Sequence, residues 1–172
     1  MFDPGPAAEV GCTATEDGRW TLRFVRDLQH PPERVWRMLT EPDRLARWAP
    51  FTTDRGLDRP GPATLTMIDG PTEVPMEAEV LVAEEARVLV YTWGADRLRW
   101  ELEPDGAATR LTLWHTTGDR DFVSKVAAGW HLCVRVMELD LNGMPHPPVR
   151  GQDAMHYGWA DLEATYRKTL EI

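Results

Sequence analysis

The stretch FVRDLQHPPERVWRMLTEPDRLARWAPF, Phe24–Phe51, changes its hydrophobic period within thirty residues. Its start closes a run in which Trp20, Leu22 and Phe24 alternate with Thr21 and Arg23. Alternation with period two reads as a half-buried strand, here Arg19–Asp27. His30-Pro31-Pro32 ends that strand. Pro32 then suits the first position of a helix, where its missing N–H costs nothing. Glu33 complements the dipole of the first turn, and Val35, Trp36 and Leu39 form an apolar stripe. Pro42 opens a second short helix, read through about Trp48, with Leu45 and Trp48 on one face. The segment is therefore a strand followed by a clip of two short helices.

Toward the N-terminus, residues 1–18 hold three Gly, two Pro and few large apolar side chains, which reads as a flexible leader with a short strand near Val10–Thr13. Toward the C-terminus, residues 52–62 read as a loop. Five strands follow. Ala63–Ile68 and Met76–Ala83 are separated by Asp69-Gly70-Pro71, Arg87–Trp93 is apolar nearly throughout, and Leu98, Trp100 and Leu102 alternate with charged residues. Asp105-Gly106 turns into Thr109–His115. Such tight connections favour an antiparallel meander. From Asp119 the period becomes helical: Phe122, Val126, Trp130, Val134, Met137 and Leu141 recur every three or four residues. A helix to Leu141 is about 33 Å long at 1.5 Å per residue, enough to cross a sheet. Asn142-Gly143 suits its end, three prolines make Met144–Gln152 a linker, and a last helix is expected over about Asp153–Leu170.

This order gives an α+β fold, with six antiparallel strands wrapped on one long helix. A twisted sheet cannot touch a straight rod along its whole length, so large side chains or a pocket must fill the gap. The facing set draws on Leu65, Met67, Met76, Val80, Trp100, Leu102, Leu113, Trp130, Val134 and Met137. Methionine adapts to irregular surfaces, and apolar clefts with a few polar groups are the usual small-molecule sites.

The motifs Pro32-x-Arg34-Val35-Trp36 and Thr40-x-Pro42-x-x-Leu45-x-x-Trp48 resemble the opening of START-like (SRPBCC superfamily) domains of the AHSA type, named for homologues of the activator of the heat-shock-protein-90 ATPase. The likeness extends through Val80–Trp93, Leu102-Glu103-Pro104, Thr109–Leu113 and Gly129-Trp130, and covers about residues 20–142. It implies a helix-grip fold (START-like, Bet v 1-like): a curved sheet on a long C-terminal helix, enclosing an apolar tunnel. It implies a START-like domain over 19–142; the 143–172 linker and helix extend past the minimal fold and are expected to pack on the same domain. Members bind lipids, sterols, polyketides or plant hormones. A few cyclise or aromatise polyketides, and some eukaryotic relatives stimulate a chaperone ATPase. The expected function is therefore binding of a small hydrophobic or aromatic molecule. The alternatives are an enzyme of cyclase or hydrolase type using the same cavity, and a stress-response co-chaperone working through its surface.

Composition narrows the partners. Nineteen Lys and Arg against 28 Asp and Glu give a net charge of −9 over 172 residues. Without a basic run, nucleic acid is not an expected partner, nor is an anionic membrane surface. No apolar run reaches 18 residues, so membrane insertion is not expected. Cys12 and Cys133 sit in no metal-type or CxxC cluster, which suggests reduced thiols and a cytoplasmic setting. No cofactor or metal is expected, since His115 and His131 are the only histidines expected to approach each other. A homodimer and a chaperone partner stay open. The candidate ligand-binding residues are Trp48, Met67, Met76, Trp100, Leu102, Leu113, His115, Trp130, Val134 and Met137. His115 shares a strand face with Leu111 and Leu113, which makes it the candidate general base or ligand anchor. The alternative for His115 is a histidine satisfied at the sheet edge.

Overall fold

A computed structural model describes residues 1–172. The chain forms one antiparallel sheet of eight strands: β1 (Glu9–Ala14), β2 (Trp20–Leu28), β3 (Phe51–Thr53), β4 (Gly61–Asp69), β5 (Thr72–Glu84), β6 (Val88–Trp93), β7 (Asp96–Asp105) and β8 (Ala108–Thr117). The spatial order is β1-β2-β8-β7-β6-β5-β4-β3. β3 to β8 are a continuous meander, and β2 closes it by pairing with β8, Phe24 opposite Leu113. The helices are α1 (Pro32–Thr40), α2 (Pro42–Leu45), α3 (Val123–Leu141) and α4 (Trp159–Leu170).

The sheet thus has two strands more than the six expected. β1 pairs along its length with β2, Glu9 opposite Val25. β3 is only three residues long and pairs Phe51 with Met67, too short for any period to register. The leader is also pinned to the domain. His131 Nε2 donates to the Pro4 carbonyl at 2.7 Å, Arg135 Nε to that of Asp3 at 2.9 Å, and the Ala8 N–H to the Tyr166 hydroxyl at 2.8 Å.

The period-two pattern holds where it was cleanest. On β8, Thr109, Leu111, Leu113, His115 and Thr117 are all buried; on β7, so are Leu98, Trp100 and Leu102. α3 lies against this face and buries Ala127, Trp130, Val134 and Met137 among others. α2 is a single turn ending at Leu45, so Trp48 lies beyond it rather than on it.

The expected last helix is broken. Gly151–Tyr157 is a 3-10 helix, and α4 begins only after Gly158. Gly158 has φ +89°, where a side chain is strained. Gly158→Ala is expected to cost about 1 kcal/mol, read as a lower urea midpoint with an unchanged slope.

Candidate functional site

Aromatic side chains fill the middle of the space between sheet and α3. Trp48 and Trp100 meet edge to face with centroids 5.9 Å apart, and Trp100 meets Trp130 likewise at 5.3 Å. Trp48 Nε1–H donates to the Met38 carbonyl at 2.8 Å, and Trp100 Nε1–H to the Tyr91 hydroxyl at 3.2 Å. Burial raises the Tyr91 pKa, so the hydroxyl stays protonated. No open tunnel runs the length of the helix.

Room remains at one end. A pocket of about 630 Å³ opens beside the N-terminal half of α3, inside the size range of small-molecule sites. Its sheet wall is Met67, Met76, Trp93 and His115, with Ala95 from the β6–β7 turn and Asp96 at the start of β7. Its helix wall includes Val126, Gly129, Trp130 and Cys133. Its third wall is the chain after α3: Val149, Arg150, Gly151, Gln152, Ala154, Met155 and Trp159. Phe122 and Met155 also belong to the pocket, and they are 46% and 54% exposed. Large apolar groups therefore reach solvent at its edge.

The third wall is anchored by specific bonds. Arg150 Nε donates to the Ala49 carbonyl and Nη2 to that of Ala46, both at 2.8 Å. The Gln152 N–H donates to Asp69 Oδ1 at 3.1 Å. Gly151 has φ +54°, and a Cβ there would collide with the Asp69 carboxylate. Only glycine lets the segment approach β4 so closely.

Of the ten sequence-derived candidates, Met67, Met76, His115 and Trp130 stand on the pocket wall. Trp48, Trp100, Leu113, Val134 and Met137 are 0% exposed and Leu102 is 4% exposed, and these six lie in the packed core away from the pocket. They sit where sheet and helix are in contact; the walls diverge only beyond them. Sequence reading missed Trp93, Asp96, Lys125, Arg150 and Met155. Trp93 carried a signal, since it alternates with Leu89 and Tyr91 on β6. Asp96 sits next to a turn, Arg150 lies in the proline-rich linker and Met155 just after it, so none of these settings has a period to read.

His115 is 2% exposed and faces α3. Trp130 Nε1–H donates to its Nδ1 at 2.8 Å, so the ring proton belongs on Nε2, which donates to Asp96 Oδ2 at 2.7 Å. Arg19 Nη2 lies 3.7 Å from the other Asp96 oxygen. Both imidazole nitrogens are committed, which leaves no lone pair for a general base. His115 is a positioning residue that fixes Trp130 on the wall. His131 does not join it, bonding instead to Tyr166 and Pro4. Cys133, also on the wall, is an inert thiol, because burial pushes its pKa up to about 12. No group of three or more His, Cys, Asp or Glu is placed to hold a metal ion. No helix is long and apolar enough to cross a membrane.

Comparison with known proteins agrees with this architecture. The family model described as "Activator of Hsp90 ATPase homolog 1-like protein" matches residues 29–139. CalU16 from Micromonospora echinospora superposes with a TM-score of 0.69 at 18% identity, over 94% of this chain and 95% of its own. The protein encoded by BPP1335 of Bordetella parapertussis gives 0.67 at 26% identity, over 99% and 96%. EF2215 from Enterococcus faecalis, a conserved protein of unknown function, gives 0.68 at 19% identity, over 92% and 89%. No curated protein matches the chain.

Proposed function

Because the chain belongs to the family of activator of Hsp90 ATPase homolog 1-like proteins, within the START-like fold, we propose that it binds a small hydrophobic or aromatic molecule in the pocket beside α3. The observation that carries this reading is the pocket itself: about 630 Å³, with 13 of its 21 lining residues hydrophobic, beside a core closed by Trp48, Trp100 and Trp130. Gly129 supports it. A glycine inside a helix costs roughly 1 kcal/mol relative to alanine. Gly129 faces the pocket, and a Cβ added there would meet no atom within 4 Å. The helix forgoes stability where a side chain would intrude on the space.

The test is a titration with N-phenyl-1-naphthylamine, a neutral apolar fluorophore, followed by quenching of tryptophan emission. Saturable one-to-one binding is expected. Gly129→Ala should raise the unfolding free energy by up to about 1 kcal/mol and keep the fold. Gly129→Phe should fill the pocket and abolish binding. Binding that survives Gly129→Phe unchanged would place the probe elsewhere and defeat the reading. An enzymatic reading has no comparable support, since neither His115 nor Cys133 presents a free reactive group.

A further inference from the structure

The pocket wall carries two cations with no carboxylate in ion-pair contact. Arg150 and Lys125 both line it, and neither belongs to any ion pair of the chain. Arg150 is half-buried, and its two hydrogen bonds end on neutral backbone carbonyls. Its Nη1 has no acceptor in the protein, yet it is not among the sealed, unpartnered atoms. Nη1 therefore keeps some accessible surface and a free donor. Burial without a counter-charge lowers the Arg150 pKa, although arginine stays protonated at neutral pH. The one carboxylate on the wall, Asp96, is already spent: it accepts from His115 and lies beside Arg19. Of the two cations, Lys125 lies near enough to Glu163 to help lower its carboxyl pKa, so Arg150 is the one left without a carboxylate.

We infer that the molecule held in this pocket is an organic anion, with an apolar or aromatic body against Trp93, Trp130 and Met76 and an acidic group bound by Arg150, with Lys125 as the second cation. A planar guanidinium with Nη1 still free to donate is suited to a carboxylate or sulfonate, which supplies the missing counter-charge at a partly desolvated site. A neutral lipid or sterol would leave Arg150 as it stands. This inference rests on the pocket being a binding site, so its test must separate the two.

The probes are a matched pair: 8-anilinonaphthalene-1-sulfonate, which is anionic, and N-phenyl-1-naphthylamine, which has the same aromatic frame without the sulfonate. The anionic probe is expected to bind at least about tenfold more tightly in low salt. In Arg150→Met the ratio of the two dissociation constants should fall to near one. Lys125 is exposed, so Lys125→Met leaves the fold intact and should lower the ratio several-fold. Raising salt to about 0.5 M should narrow the ratio through Lys125. If the neutral probe binds and the wild-type ratio is already near one, or neither substitution moves it, the acidic-ligand inference is overturned while the pocket reading stands. If neither probe binds, both fall together.

Discussion

Trp48→Ala should remove about 4 kcal/mol of stability, the cost of emptying a fully buried aromatic site plus a buried hydrogen bond. The ring has no exposed surface and packs edge to face on Trp100. Its N–H also satisfies the Met38 carbonyl of α1. A domain of this size has only about 5–15 kcal/mol in total, so the variant should unfold at far lower urea or remain partly unfolded at 37 °C. Trp48→Phe keeps most of the ring and loses the bond, and should cost about half as much. Trp159→Ala, at a half-buried position on the pocket wall, should cost about 1 kcal/mol. Equilibrium denaturation of the three variants checks the order. Trp48→Ala within 1 kcal/mol of wild type, with altered probe binding, would make Trp48 a gate at the pocket instead of a core residue.

Acidification from pH 7 to pH 4 should remove up to roughly 3 kcal/mol through His131 alone. His131 is fully buried, and burial is the main cause that lowers its pKa from 6.5 to about 4. The Pro4 carbonyl and Glu138 oppose that shift, while Arg26 and Arg135 add to it. With Nε2 donating to Pro4, Nδ1 accepts from the Tyr166 hydroxyl at 2.6 Å, and that acceptor is lost when the ring takes a second proton. Between pH 6.5 and 4 the unfolded chain binds a proton that the native state refuses. Stability therefore falls as pH falls, by about 1.4 kcal/mol per pH unit, and this contribution is intact above pH 6.5. Glu41 and Glu163, whose carboxyl pKa values are lowered chiefly by hydrogen bonds from Arg37 and Ser124 respectively, add losses only as pH drops below 4.5. His131→Gln should flatten the profile between pH 7 and 5 while leaving the lower limb. A wild-type profile already flat there would show that His131 takes up its proton in the native state as readily as in the unfolded chain. Because His131 joins α3 to the leader at Pro4 and to α4 through Tyr166, the acid-sensitive contact lies on the side of α3 that carries no pocket residue of its own.

Period decided what could be read before the structure was known. Leu98, Trp100 and Leu102, or Leu111, Leu113 and His115, state their face by alternation, and the structure buries each of them. The stripe from Val126 to Leu141 states its face by helical spacing, and it covers the sheet. β3 gives no such signal in three residues, and the break at Gly158 depends on one backbone angle. The mismatch between a twisted sheet and a straight helix is real, but it does not produce an even gap. Trp48, Trp100 and Trp130 close the middle, and the space survives where the walls part. Its third wall is built by Val149–Trp159, whose position follows from long-range bonds such as Arg150 to Ala46 and Ala49. No local pattern encodes such contacts, so Arg150, the residue that gives the pocket its charge, stayed invisible in the sequence.

The most direct test of the account is a crystal structure of the protein grown with N-phenyl-1-naphthylamine. Density is expected for one probe molecule in the pocket, lying against Trp93 and Trp130, whose rings stay in edge-to-face contact, with Met67 and Met76 moved by no more than a rotamer. A pocket closed by those side chains, with the probe absent or bound only on the outer face of the sheet, would contradict it.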